Sequence, residues 1–168
     1  MWVQHRVLHS QNVASPRRAA STAAFDQVLE LALLLDEDME RELTARGLTK
    51  ARTRVLWEIS QRPPAHQKEL ADAVGVTPRT MTGLIDGLAS TGFVVRAPDP
   101  DDRRAQRVEL TSRGRDAAQW LVTSRIYLAG ELFGGMTAAQ LAFFTDGLTE
   151  VILRLRAAME QAANAVTL

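Results

Sequence analysis

Cysteine is absent from the 168 residues. That excludes disulfides, thiol nucleophiles, cysteine redox sensing, iron–sulfur clusters and cysteine-ligated zinc. Net charge is missing too, because 20 Lys plus Arg balance 20 Asp plus Glu. Binding of nucleic acid by bulk positive charge, in the manner of histones, is excluded, and any anion-binding surface must come from local segregation of charge. Long apolar runs are lacking. The most apolar stretch, Leu31-Ala32-Leu33-Leu34-Leu35, is far too short to span a bilayer, and residues 1–23 hold no apolar segment of signal-peptide length. No membrane partner is expected, and the expected compartment is the cytoplasm. Lysine is scarce: 2 Lys stand against 18 Arg. Two readings fit that ratio, a need for planar forks on phosphates and bases or the codon usage of a GC-rich genome.

What is present is a 46% hydrophobic composition, enough for a real core in one domain or in one domain with a helical extension. Charge is distributed unevenly. Residues 1–23 carry Arg6, Arg17 and Arg18 and no acid. Residues 26–42 hold seven acids against Arg41, a net of −6. Residues 46–62 hold Arg46, Lys50, Arg52, Arg54 and Arg62 against Glu58, a net of +4. Residues 79–115 carry seven Arg against five acids, a net of +2. A neutral whole with basic segments is compatible with specific DNA binding.

Apolar residues at Phe25, Val28, Leu29, Ala32, Leu35, Met39 and Leu43 have helical spacing and end at Gly47. Thr49 is placed to cap a second helix carrying Val55, Leu56 and Ile59. A short helix follows from His66 or Gln67 to Val74 and closes at Gly75. Thr77 and Pro78 then form a favoured cap and first-turn pair for a helix that runs to Thr91. Phe93-Val94-Val95-Arg96 and Gln106-Arg107-Val108-Glu109-Leu110 read as a hairpin with a charged tip. Two long helices complete the chain, from Ser112 to about Phe133 and from Thr137 past Met159. The expected fold class is mainly α with a small β-wing: a winged helix-turn-helix lobe over 48–111, flanked by long helices over 24–47 and 112–168. Residues 1–23 are expected as a flexible arm or a short extra helix.

On a wheel of about 100° per residue, Met81, Leu84, Ile85 and Leu88 cluster on one side of the helix that starts at Pro78, and Arg79, Thr82, Gly83 and Asp86 lie opposite. Its N-terminus has free N–H groups suited to a phosphate. In a helix-turn-helix such a helix enters the major groove; Arg79 can donate to guanine, and Thr80 and Thr82 can reach phosphate or bases. An ordinary amphipathic helix with a solvated face is the plain alternative. Gly83 and Gly87 should each cost roughly 1 kcal/mol relative to Ala. Close approach to DNA and tight packing against another helix both account for them. At the hairpin tip, Asp101-Asp102-Arg103-Arg104 suits insertion of an Arg into a narrow minor groove, with the acids fixing its direction. Asp86 calls for a wing arginine as partner.

Residues 48–114 resemble the MarR family of winged helix-turn-helix regulators. The resemblance rests on Leu48-Thr49 with Arg52 and Val55-Leu56; on Gln67-Lys68-Glu69-Leu70-Ala71; and on Val76-Thr77 with Thr80, Met81, Thr82 and Leu84-Ile85-Asp86. Leu88, Gly92-Phe93-Val94, Asp102-Arg103-Arg104 and Val108-Glu109-Leu110-Thr111 with Gly114 follow in the same order. The flanking helices extend the likeness, by length and order, over about residues 24–165. It implies a homodimer with interlocked terminal helices, bound to a pseudo-palindromic operator in double-stranded DNA. By the same likeness Arg103 enters the minor groove and Arg104 pairs with Asp86 in a wing-bracing salt bridge. Thr77, Pro78, Arg79, Thr80 and Thr82 would face the major groove, while Lys50, Arg52 and Arg54 could touch the DNA backbone. The family often has Arg where this chain has Gly83 and Gly87, so fewer side-chain contacts are expected. The chain is expected to act as a repressor, released by a small aromatic or amphipathic effector. The residues that would bind such an effector are unknown, with Trp57, Trp120 and Tyr127 as candidate wall positions only.

No cofactor and no metal site is expected. His5 and His9 are four residues apart but no further ligand joins them, and Asp36-Glu37-Asp38 lacks calcium-loop spacing. His66 reads as a solvent-exposed or capping residue. No phosphate loop, Ser-x-x-Lys or His-Glu-x-x-His pattern occurs, so an enzyme is disfavoured. A winged-helix module that binds protein without touching DNA is the alternative function.

Overall fold

The computed structural model describes residues 15–62, 65–99 and 106–166. The chain forms two compact units, residues 1–111 and 112–168.

The first unit opens with α1 (Pro16–Ala45), whose N-cap Ser15 accepts a hydrogen bond from the Arg18 N–H at 3.3 Å. The helix therefore begins nine residues before Phe25, where the apolar periodicity starts. Its first turns are polar and alanine-rich, so they form helix without adding to an apolar stripe. A Ser-Pro cap with an alanine-rich run sets the start. Leu43 is the only buried residue of its 30.

Thr49 caps α2 (Lys50–Gln61) as expected, accepting from the Arg52 N–H at 3.3 Å. After it come β1 (Ala65–His66), α3 (Gln67–Val74) and α4 (Pro78–Ser90). The α3–α4 turn depends on Gly75, which adopts φ +73°. Its N–H and that of Val76 both return to the Ala71 carbonyl, at 2.9 and 3.0 Å. A side chain with a β-carbon is strained in this left-handed conformation. Thr77 caps α4, accepting from the Thr80 N–H at 3.2 Å.

The wing comprises β2 (Val94–Pro98) and β3 (Gln106–Leu110), antiparallel, with Val94 opposite Leu110 and Pro98 opposite Gln106. A third strand was not expected. β1 pairs antiparallel with β3, Ala65 opposite Val108, giving the order β1-β3-β2. Two residues carry no periodicity, so only tertiary pairing defines this strand. Behind the sheet lies the core of the unit: Leu43, Leu48, Val55, Leu56, Ile59, Leu70, Val74, Met81, Ile85, Leu88, Phe93, Val94 and Val108 are all buried. This core fixes α4 from beneath and leaves its opposite face in solvent.

The second unit contains α5 (Ser112–Phe133) and α6 (Ala138–Val166). Thr137 and Gln140 cap α6 reciprocally: the Thr137 N–H donates to Gln140 Oε1 at 2.9 Å, and the Gln140 N–H donates to Thr137 Oγ1 at 3.3 Å. The rings of Phe133 and Phe144 meet at 5.6 Å across this junction. Most other large apolar residues of the unit are exposed, among them Ile126, Leu141, Phe143, Val151, Ile152, Leu155 and Met159.

Candidate nucleic-acid interface

The outer face of α4 is built by periodicity. Met81, Ile85 and Leu88 are fully buried, while Arg79, Thr82, Gly83 and Asp86 are exposed at the i, i+3, i+4 and i+7 positions. The polar groups on this face differ in how free they are. Thr82 donates its hydroxyl proton to the Pro78 carbonyl at 2.9 Å and accepts from the Gln67 side-chain amide. The Thr77 and Thr80 hydroxyls share a hydrogen bond at 2.9 Å. Arg79 is exposed and has no hydrogen bond or ion pair from its side chain among the described residues.

At the far end of the stripe, Asp86 Oδ1 receives a hydrogen-bonded ion pair from an arginine of the wing at 2.6 Å. That arginine is Arg96, on β2. Arg96 is a partner of Asp86 that the sequence reading did not name, and it does not replace the pairing expected with Arg104. β2 leaves directly from the turn after α4, and this carries Arg96 back alongside Asp86. No sequence motif signals that return. Arg103 and Arg104 lie outside the described residues, as do His5 and His9.

The three basic residues of α2 have separate fates. Lys50, expected to touch DNA backbone, is instead held by two carboxylates of α1: Asp36 Oδ1 at 2.6 Å and Glu40 Oε2 at 2.9 Å. These lie four apart on α1 and so share a face. Hydrogen bonds donated by the ammonium to Asp36 first and Glu40 second raise the Lys50 pKa above its ordinary 10.5. Arg52 lies inward, with its guanidinium over Gly87 of α4. Arg54 is exposed, and its side chain has no hydrogen bond or ion pair among the described residues.

The two glycines inside α4 differ in their surroundings. A β-carbon on Gly87 would come within 2.6 Å of Arg52 Cζ, so packing accounts for that glycine. A β-carbon on Gly83 would meet nothing within 4 Å.

Two more residues belong to the interface that sequence reasoning did not single out as contacts. Gln67 reaches from α3 to Thr82 and ties the two helices at their reading edge. His66 places Nε2 3.3 Å from Asp99 Oδ2, linking the start of α3 to the end of β2. Asp99 is buried at the wing stem, and His66, half exposed, stands as the N-cap of α3, its N–H donating to Glu69 Oε2 at 3.3 Å. Among the described residues no helix is long and apolar enough to cross a membrane, and no group of three or more His, Asp or Glu could hold a metal ion.

A helix-turn-helix followed by an antiparallel wing, with a braced and outward-facing second helix, defines a winged-helix protein. The model of the MarR family matches residues 48–105, the span from the entry to α2 into the wing. A transcriptional repressor of Bacillus subtilis (strain 168), YetL, is 31% identical over 114 residues, covering 67% of this chain and 68% of that protein. BadR, a transcriptional activatory protein of Rhodopseudomonas palustris, is 28% identical over 129 residues, 74% of each chain. Among solved structures, Streptococcus pneumoniae FabT in complex with DNA superimposes with a TM-score of 0.64 at 19% identity, over 79% of this chain and 98% of that one. The chain belongs to the MarR family of transcriptional regulators.

Proposed function

We propose that this regulator works as a homodimer that binds a pseudo-palindromic operator in double-stranded DNA and represses transcription until a small effector releases it. One observation carries the DNA-binding part: a rigid core presents α4 with its N-terminal, arginine-bearing face uncovered, and an Asp86–Arg96 ion pair holds that helix in fixed relation to the wing. Thr77, Pro78, Arg79, Thr80 and Thr82 face the major groove, Arg103 and Arg104 act from the wing tip, and Arg54 meets the phosphates. Lys50 is held by Asp36 and Glu40 and leaves this list, while Arg52, half-buried beside Gly87, stays on it with Arg54. The likeness to the transcriptional regulators YetL and BadR supports the regulatory part, and the DNA in the FabT structure supports the DNA-binding part.

Dimerisation is supported by the apolar surface of α1, α5 and α6. Phe25, Leu33 and Leu34 on α1 and Phe143, Leu153 and Leu155 on α6 are each more than half exposed in the single chain. So much uncovered apolar surface on long helices marks an association face. Repressor polarity rests on the likeness to YetL, whereas BadR is named an activatory protein. An effector would act by favouring a spacing of the two lobes other than the DNA-bound one.

Titration of the region upstream of its own gene at several salt concentrations tests the proposal. Binding that weakens steeply as salt rises reflects phosphate neutralisation. Absence of binding, or affinity indifferent to salt, favours a winged helix that contacts protein.

A further inference from the structure

Gly83 is an exposed glycine in the interior of a helix, and nothing in the fold requires it. Its φ is not left-handed, and a β-carbon there would meet no atom within 4 Å. Glycine in a helix interior is destabilising relative to alanine. The position lies on the uncovered stripe, between Arg79 and Asp86 and beside Thr82. Glycine also serves where a backbone must come close to another surface.

The hydrogen-bonding state of the stripe narrows what that surface is. The Thr82 hydroxyl proton is committed to Pro78, and its oxygen already accepts from Gln67. Toward a duplex Thr82 therefore presents a methyl group and no proton. Thr77 and Thr80 have one uncommitted hydroxyl proton between them, because their mutual bond uses the other. Arg79 retains its full fork of donors. Such a stripe has donors at one end and an apolar notch one turn later.

Resting on the DNA-binding reading above, we propose that each half-site is read as a guanine flanked by a thymine. Arg79 donates to guanine O6 and N7. The thymine methyl sits against the Thr82 methyl, in the notch that Gly83 leaves open. Guanine offers two acceptors in the major groove, and thymine is the base that carries a methyl there. Gln67 acts as a positioning residue by holding the Thr82 hydroxyl away from the groove.

The test uses the full chain and duplexes it retains from a randomised pool. Thymines of a retained duplex are replaced one at a time by deoxyuridine, which removes only the methyl, and guanines by 7-deazaguanine. One thymine per half-site should show about a fourfold loss of affinity, the worth of one buried methyl. One neighbouring guanine should be sensitive to loss of N7. Gly83→Ala should raise Tm by roughly 2–4 °C and weaken binding about tenfold, within the range of one mismatched base pair. Thr82→Val should keep the uracil penalty, and Thr82→Ser should abolish it. If the wild-type chain binds its duplex but no uracil matters, or if Gly83→Ala binds as well as wild type, the inference is wrong and the DNA-binding reading stands. If the chain retains no duplex from the pool, both fall together.

Discussion

Arg52 lays its guanidinium over the α-carbon of Gly87, so a residue of α2 occupies the space where a side chain of α4 would otherwise stand. The obstacle is the far end of a flexible side chain, half-buried at its residue. Alanine at 87 would push the guanidinium aside while gaining about 1 kcal/mol of helix propensity. Gly87→Ala alone is expected to leave stability nearly unchanged. In an Arg52→Ala background the same substitution should stabilise by about 1 kcal/mol. Chemical denaturation of the four proteins in the cycle reads the coupling; equal effects of Gly87→Ala in both backgrounds would show that the contact carries no energy.

The Asp86–Arg96 pair joins α4 to β2 of the wing. Both side chains are partly exposed, so its contribution to stability is expected to be about 0–1 kcal/mol. Its larger effect is expected on orientation. Asp86→Ala and Arg96→Ala should each weaken binding to the upstream region, and the double variant should lose little more than either single one. Losses that simply add would separate the two residues.

Lys50 supplies a pH dependence. Its pKa is raised in the folded chain by Asp36 and then Glu40, so its contribution is complete below 10.5, the ordinary value, and fades as pH climbs through the folded value. Lys50→Met should therefore be less stable than wild type at neutral pH, with the difference closing in alkaline solution. Melting temperatures measured from pH 7 upward follow this; a gap that stays constant to the most alkaline point would show that charge is not the cause.

The uncovered apolar surface of α6 gives a further expectation. Ile152 and Leu155 are exposed in the single chain and have no polar role there. Light scattering should report twice the mass of one chain for wild type and a shift toward one chain for Ile152→Glu with Leu155→Glu. A doubly substituted chain that remained at twice the mass would remove α6 from the association face.

The helices were legible in the sequence because their ends are set locally. Thr49 and Thr77 cap the helices they were expected to cap, and Gly75 takes the left-handed turn its position suggested. Features that depend on tertiary placement were not. The start of α1 lies outside its apolar stripe, and β1 exists only because β3 lies beside it. Charge misled at Lys50. A cation at a helix start suggests phosphate, but the acidic face of α1 reaches it first. The contact of Arg96 with Asp86 was not legible either, since the return path of β2 decides it.

At about 1.5 Å per residue, α1 is about 45 Å long, and its one buried side chain, Leu43, sits near its C-terminal end. Beyond Leu43, the ion pairs of Asp36 and Glu40 with Lys50 tie the rod to α2, and Phe25, Leu33 and Leu34 nearer its start are exposed. In the dimer proposed above a second copy would cover those residues, so the amount of this regulator a cell makes would set how much of the rod is sheathed.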